Sequence, residues 1–143
     1  MFPHTITIFN VIKDSNVIYN RKVVSDVFYY KEKSLQDEQH GDKPDYQYHV
    51  ILSSEALKSY LNSEEYQSLE DKTNNFTLKM NDIIVLGECE VITDLIDLQK
   101  SNKEYFLIRT INDNRYGGED LQNIEVTNWE YMQNLKFLTL MKW

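Results

Sequence analysis

Residues 5–30 alternate with the period of a pleated strand, and little except a sheet accepts such a run. From Thr5 to Ile12, Ile6, Ile8 and Ile12 point one way, while Thr5, Thr7, Phe9 and Val11 point the other. Lys13-Asp14-Ser15-Asn16 makes a polar turn, after which residues 17–30 resume in β-branched and aromatic types. The pair predicts a hairpin. Within its second arm Arg21 and Lys22, then Ser25 and Asp26, interrupt the apolar pattern, which places a bend or bulge near Ser25.

Residues 31–45 are nearly all polar or charged, with Gly41 and Pro44 as breakers and Leu35 as the one apolar anchor. A loop of that length is either disordered or used for contact. Tyr46 to Leu52 alternates and returns as a strand. Ser53, Ser54 and Glu55 then open a short helical turn bearing Leu57, Tyr60 and Leu61, with a break at Asn62-Ser63 before Tyr66 and Leu69. Phe76 to Gly87 reads as two extended pieces joined at Asn81-Asp82, the second running on toward Val91. Ile92, Leu95, Ile96 and Gln99 have helical spacing. A main strand from Tyr105 to Ile111 and a short one from Ile124 to Thr127 complete about seven strands and one or two short helices. The expected fold is mainly β, a small barrel or sandwich.

A chain of 143 residues suits one domain. We place it at residues 1–128, including the polar loop 31–45, followed by an apolar tail at 129–143. Hydrophobic residues at 41% and aromatics at 13% fit a folded body. Ten Tyr suit strands and interfaces, where the ring packs and the hydroxyl stays wet. A net charge of −8 argues against affinity for DNA phosphate, which relies on Lys and Arg displacing counterions. The lone Cys89 has no partner for a disulfide or a shared metal site and reads as a small, partly buried hydrophobe. The start of the chain lacks the basic flank and apolar stretch of a secretory signal, and no apolar run reaches the roughly 20 residues that cross a bilayer. A reducing cytosol is the expected site of synthesis.

The corner from Phe106 through Asp113-Asn-Arg-Tyr-Gly-Gly118 to Val126 reads as a buried strand, a polar turn and a second strand. Two of the chain's four glycines sit there, predicting positive φ or a close backbone approach. Arg115 sets a planar, permanently charged fork beside the turn. It either pairs with Asp113 or Glu119 or meets a neighbouring subunit. In the tail, Trp129, Met132, Leu135 and Leu138 recur every three residues, as on a helix face, while residues 137–141 equally suit a strand. So apolar an end either folds back on its own domain or docks on another protein. Arg115, Trp129, Met132, Leu135, Phe137, Leu138 and Trp143 are therefore the candidate interface residues.

Enzymatic chemistry finds little footing. His4, His40 and His49 have no ligand spacing, so no metal site is expected. His4 beside Pro3 is expected to cap the start of its strand, and His49 to face solvent or a partner. The acids Asp94 and Asp97, Glu64 and Glu65, and Glu88 and Glu90 read as solvated faces rather than catalytic pairs. Nucleophile-elbow, phosphate-loop, dinucleotide and zinc-protease motifs are missing. No catalytic residue and no cofactor is assigned.

Four segments in order carry a resemblance. They are Phe2-Pro-His-Thr-Ile-Thr-Ile-Phe-Asn10, Lys58-Ser-Tyr-Leu-Asn-Ser-Glu-Glu-Tyr66, Phe76-Thr-Leu-Lys-Met-Asn-Asp-Ile-Ile-Val-Leu-Gly-Glu88, and Asp113-Asn-Arg-Tyr-Gly117 with Leu121-Gln122. Together they resemble small structural proteins of tailed bacteriophages and prophages of Gram-positive bacteria, the minor capsid or head–tail joining proteins. Phe76 stands where that family has tryptophan, Asn81 where it has glycine, and Asn123-Ile124 where it has His-Trp. Residues beyond Asn128 have no counterpart. The resemblance implies a non-enzymatic virion protein, a head–tail connector ring subunit acting as neck adaptor, stopper or tail-completion protein. Its implied partners are other copies of itself and phage portal, adaptor or tail proteins, with packaged DNA at most passing through a lumen and no membrane. It would reside in the virion, and in the host cytoplasm during assembly. The alternative is a soluble phage or prophage accessory protein that binds a host protein.

Overall fold

A computed structural model describes residues 2–33, 46–116, 118 and 122–129. Its strands are β1 (His4–Lys13), β2 (Val17–Lys33), β3 (Tyr46–Ser53), β4 (Ile83–Leu86), β5 (Tyr105–Leu107), β6 (Thr110–Asn114) and β7 (Asn123–Thr127). They form one antiparallel sheet in the order β5-β4-β1-β2-β3-β7-β6. The protein is mainly β, and the sheet curls into a half-barrel. Helix α1 (Ser63–Gln67), helix α2 (Leu95–Ser101) and a 3-10 turn at Ala56–Ser59 are the short helical pieces.

The strand order explains the curl. β5 and β6 adjoin in sequence yet lie at opposite ends of the sheet. In a flat sheet of seven strands those ends would be about 29 Å apart, whereas the three peptide steps from Leu107 to Thr110 reach at most about 11 Å. The sheet must bend until its ends meet. At the junction the Ile108 N–H donates to the Asp82 carbonyl, 2.9 Å, on the β4 side, and the Arg109 N–H donates to the Thr127 carbonyl, 2.8 Å, on the β7 side. The expected single strand from Tyr105 to Ile111 is thus two strands, split where the chain crosses this seam.

The alternation in β1 is real, and both of its faces are buried. Ile6 and Ile8 join Val50, Leu52, Ile124 and Val126 in the core inside the curl. Phe9 joins Ile83, Val85, Cys89, Ile92 and Leu98 in a second core on the outer side, under α2. The expected hairpin of β1 and β2 closes from Lys13 to Val17. The expected bulge is there too. The register slips between His4 and Thr5, and the extra residue, Asp26, adopts φ +60°. Asparagine and aspartate tolerate that left-handed region best among residues with a Cβ.

Other expectations change. Residues 31–33, read as loop, extend β2 and pair with Tyr46, Gln47 and Tyr48 of β3. The loop's remainder, 34–45, lies outside the described residues. Phe76 to Met80, read as an extended piece, joins no sheet among the described residues; its one strand-type pairing there is an isolated bridge from Phe76 to Tyr60. The expected helix at 92–99 begins later, because the Asp97 carboxylate accepts the backbone N–H groups of Thr93 (3.1 Å) and Asp94 (3.3 Å) and so marks its start. Asn62 caps α1 by accepting the Glu65 N–H at 2.9 Å, which is the physical content of the break expected there.

Candidate functional site

β1 outlasts its neighbour β4, which pairs only with residues 6–9. The gap is filled by side chains. Asp82 accepts the Val11 N–H at 3.0 Å and the Asn10 carboxamide at 2.7 Å. The Lys79 ammonium donates to the Val11 carbonyl and lies 3.8 Å from Asp82. Asn10, on the otherwise isoleucine-lined face of β1, also holds the backbone of Thr77. Asp82 and Asn10 are both fully buried. Burial pushes the Asp82 carboxyl up to about 6, against the opposing pull of its hydrogen bonds and of Lys79.

Local sequence sets this up. The Asp82 N–H donates to the Lys79 carbonyl at 3.1 Å, closing a tight turn whose third residue, Asn81, has φ +73°. That is the position where a type II turn demands glycine or asparagine. Asn81 therefore takes the backbone conformation that a glycine would otherwise supply. Gly87 ends β4 at φ +96°, and its N–H donates to the Thr5 carbonyl at 2.9 Å.

Above the Asp82 network lies a groove of about 570 Å³, walled by Tyr66, Leu95 and Leu107 and rimmed by Lys13, Lys72 and Lys79. Its volume is in the range of ordinary binding clefts. The Tyr66 hydroxyl is tied to the Asn20 carboxamide at 2.6 Å, and the Lys72 ammonium donates to the Leu69 carbonyl at 2.6 Å. Sequence reasoning missed this site. The signal was one asparagine among inward-facing isoleucines and one aspartate following a turn.

The corner is a separate surface. Arg115 pairs bidentately with Asp113, Nε to Oδ1 at 2.8 Å and Nη2 to Oδ2 at 2.6 Å, and its guanidinium lies 5.0 Å from the centre of the Tyr60 ring. The hydrogen bonds from Arg115 hold the Asp113 carboxyl below the usual carboxylate range. Beside it Tyr116 is 90% exposed. The glycine expectation fails at Gly118, whose backbone avoids positive φ and has open space around it. Gly117 lies outside the described residues.

At the other end of β3 the terminal residues of β2 and β3 form a two-stranded ribbon, since β1 has ended and β7 reaches only to His49. Lys31 and the Tyr48 hydroxyl both bind Glu104, at 3.0 and 3.1 Å, and the Tyr48 ring stacks on Phe106 at 5.3 Å. Tyr46 on the ribbon, and Phe28 and Tyr30 in the strand leading to it, are partly exposed.

His4, expected to cap the start of its own strand, accepts instead the Tyr29 N–H of the neighbouring β2 at 3.1 Å. His49, expected to face solvent or a partner, does not. Its own chain encloses it, with Glu125 at 3.1 Å, Glu32 at 3.8 Å and the Tyr30 ring stacked at 4.6 Å. Cys89 is buried, and burial pushes its thiol up. Among the described residues no three acidic, histidine or cysteine side chains converge as a metal site requires. Also among them, no helix is long and apolar enough to cross a membrane. Trp129 is half-buried, and its carbonyl accepts from the Thr110 hydroxyl. Met132, Leu135, Phe137, Leu138 and Trp143 lie outside the described residues.

Fold and surfaces together define a small half-barrel with a side-chain-sealed strand edge and exposed aromatic side chains at both ends of one strand. Residues 1–128 match the family of unknown function DUF6751, and the chain belongs to that family. No curated protein matches it, and no solved structure does.

Proposed function

We propose that the protein is a non-enzymatic structural part of a tailed-phage particle, a ring subunit of the head–tail connector. The observation that carries this reading is the placing of exposed aromatic side chains at opposite ends of β3. Tyr46, 38% exposed, lies on the ribbon and Tyr30, 37% exposed, at its base, while Tyr116 lies on the far corner. Eight residues of strand at about 3.3 Å each separate the two. A ring of identical subunits is built from heterologous contacts, in which one surface meets a different surface of the next copy. The curled sheet, shut at its seam, supplies the rigid body between those surfaces. The net charge of −8 suits a lumen past which DNA slides without sticking.

Quantitative mass spectrometry of purified virions tests the proposal. The expected result is this chain at one fixed copy number per particle, with headless or tailless particles when its gene is deleted. Complete, infectious particles that lack it overturn the reading.

A further inference from the structure

The groove beside β1 is an open strand edge as well as a cavity. Along an antiparallel strand, alternate residues direct both backbone groups to the same neighbour. The bond from the Gly87 N–H to the Thr5 carbonyl fixes the odd residues of β1 as those facing β4. Val11 is the first odd residue beyond the reach of β4, and Asp82 and Lys79 occupy its N–H and carbonyl. Lys13 is the next. Among the described residues no strand pairs with it on that side.

Charge singles out the same place. The chain has 23 acidic against 15 basic residues, yet the groove gathers Lys13, Lys72 and Lys79 around a single acid, Asp82, which is buried in its floor. Lys79 is committed to Val11, and Lys72 spends one of its three protons on Leu69. Lys13 is exposed at the rim.

We propose that this groove receives an extended acidic segment of a partner protein. The segment adds as a short strand at Lys13, where the stand-in side chains stop, seats an apolar side chain between Tyr66 and Leu107, and sets carboxylates against Lys13 and Lys72. The open backbone edge favours a peptide over a free amphiphile, because only a peptide brings its own N–H and carbonyl groups. This reading is independent of the particle assignment and stands or falls by a different measurement.

The test uses the full chain and fluorescein-labelled, end-blocked hexapeptides in which glutamate alternates with leucine, phenylalanine or tryptophan. Fluorescence polarisation should show saturable binding that weakens with salt. Lys13→Glu should weaken it by about tenfold or more, as expected when an attractive charge contact becomes repulsive. Methylating alternate backbone nitrogens of the peptide should abolish binding, and lysine-for-glutamate peptides should not bind. Lys13 is exposed, so its replacement leaves the fold intact, and an unchanged near-ultraviolet circular dichroism spectrum verifies that. The proposal is overturned if no acidic peptide binds, if basic peptides bind equally, or if Lys13→Glu is without effect. It is overturned as well if methylated peptides or decanoate bind as tightly, since the groove would then be an amphiphile pocket.

Discussion

The carboxamide of Asn10 exchanges two hydrogen bonds with the backbone of Thr77, accepting its N–H at 3.1 Å and donating to its carbonyl at 2.7 Å. One side chain thereby does what a neighbouring strand would do. It explains how residues 76–78 stay buried without joining the sheet.

Replacing Asn10 with alanine should therefore be among the most damaging single changes. It orphans the Thr77 N–H and carbonyl and one oxygen of Asp82, all buried, each at roughly 1–3 kcal/mol before relaxation. The expected loss is about 3 kcal/mol in urea denaturation. A loss within error would mean that water fills the gap.

Asp82 should leave a pH signature. Its folded carboxyl titrates near 6, above the ordinary value of 3.8, so the folded state holds the proton more tightly than the unfolded chain. Stability attributable to this group then rises as pH falls through 6 and levels off near 4, with a total of about 3 kcal/mol as an order of magnitude. Measured against Asp82→Asn, which cannot titrate, the wild type should gain between pH 7 and 5. At neutral pH the variant should still be damaged, since an amide presents one acceptor where two N–H donors converge. A wild-type-minus-variant difference that is flat with pH would refute the assignment.

Gly87 and Gly118 should respond differently to alanine. A Cβ meets nothing within 4 Å at either, but only Gly87 has positive φ, +96°. Gly87→Ala should cost about 1–2 kcal/mol through backbone strain alone, and Gly118→Ala close to nothing. Thermal melts of the pair decide it.

Arg115 separates stability from assembly. Its pair with Asp113 is about 40% exposed on both sides, so solvent screens it, and together with the Tyr60 contact it is worth at most about 1 kcal/mol. Arg115→Ala should barely shift the urea midpoint. Sedimentation should show weakened self-association if the corner is a subunit contact, and an unchanged profile would remove Arg115 from the interface.

Much of the fold was legible because its signals are local. The β1–β2 hairpin follows from alternation around Lys13 to Asn16, and the bulge from polar residues inside the second arm. The split at Ile108 and Arg109 was not legible. Apolar residues resume at Ile111 beyond the polar pair Arg109-Thr110, and no local pattern tells which edge of a sheet a residue will join. Phe76 to Leu78 misled for a related reason. They are as buried as any strand, and the distant Asn10 is what holds Thr77. The groove escaped notice because its parts come from β1, α1, the Asn81 turn and β5, dispersed along the sequence.

The seam at Ile108–Arg109 also orders events during synthesis. Until the ribosome has released those residues and the hairpin of β6 and β7 behind them, the nascent chain is an unshut trough whose oily lining faces water. Closure then arrives in one late step, and a pause in translation shortly before it would hold the protein in its most aggregation-prone form.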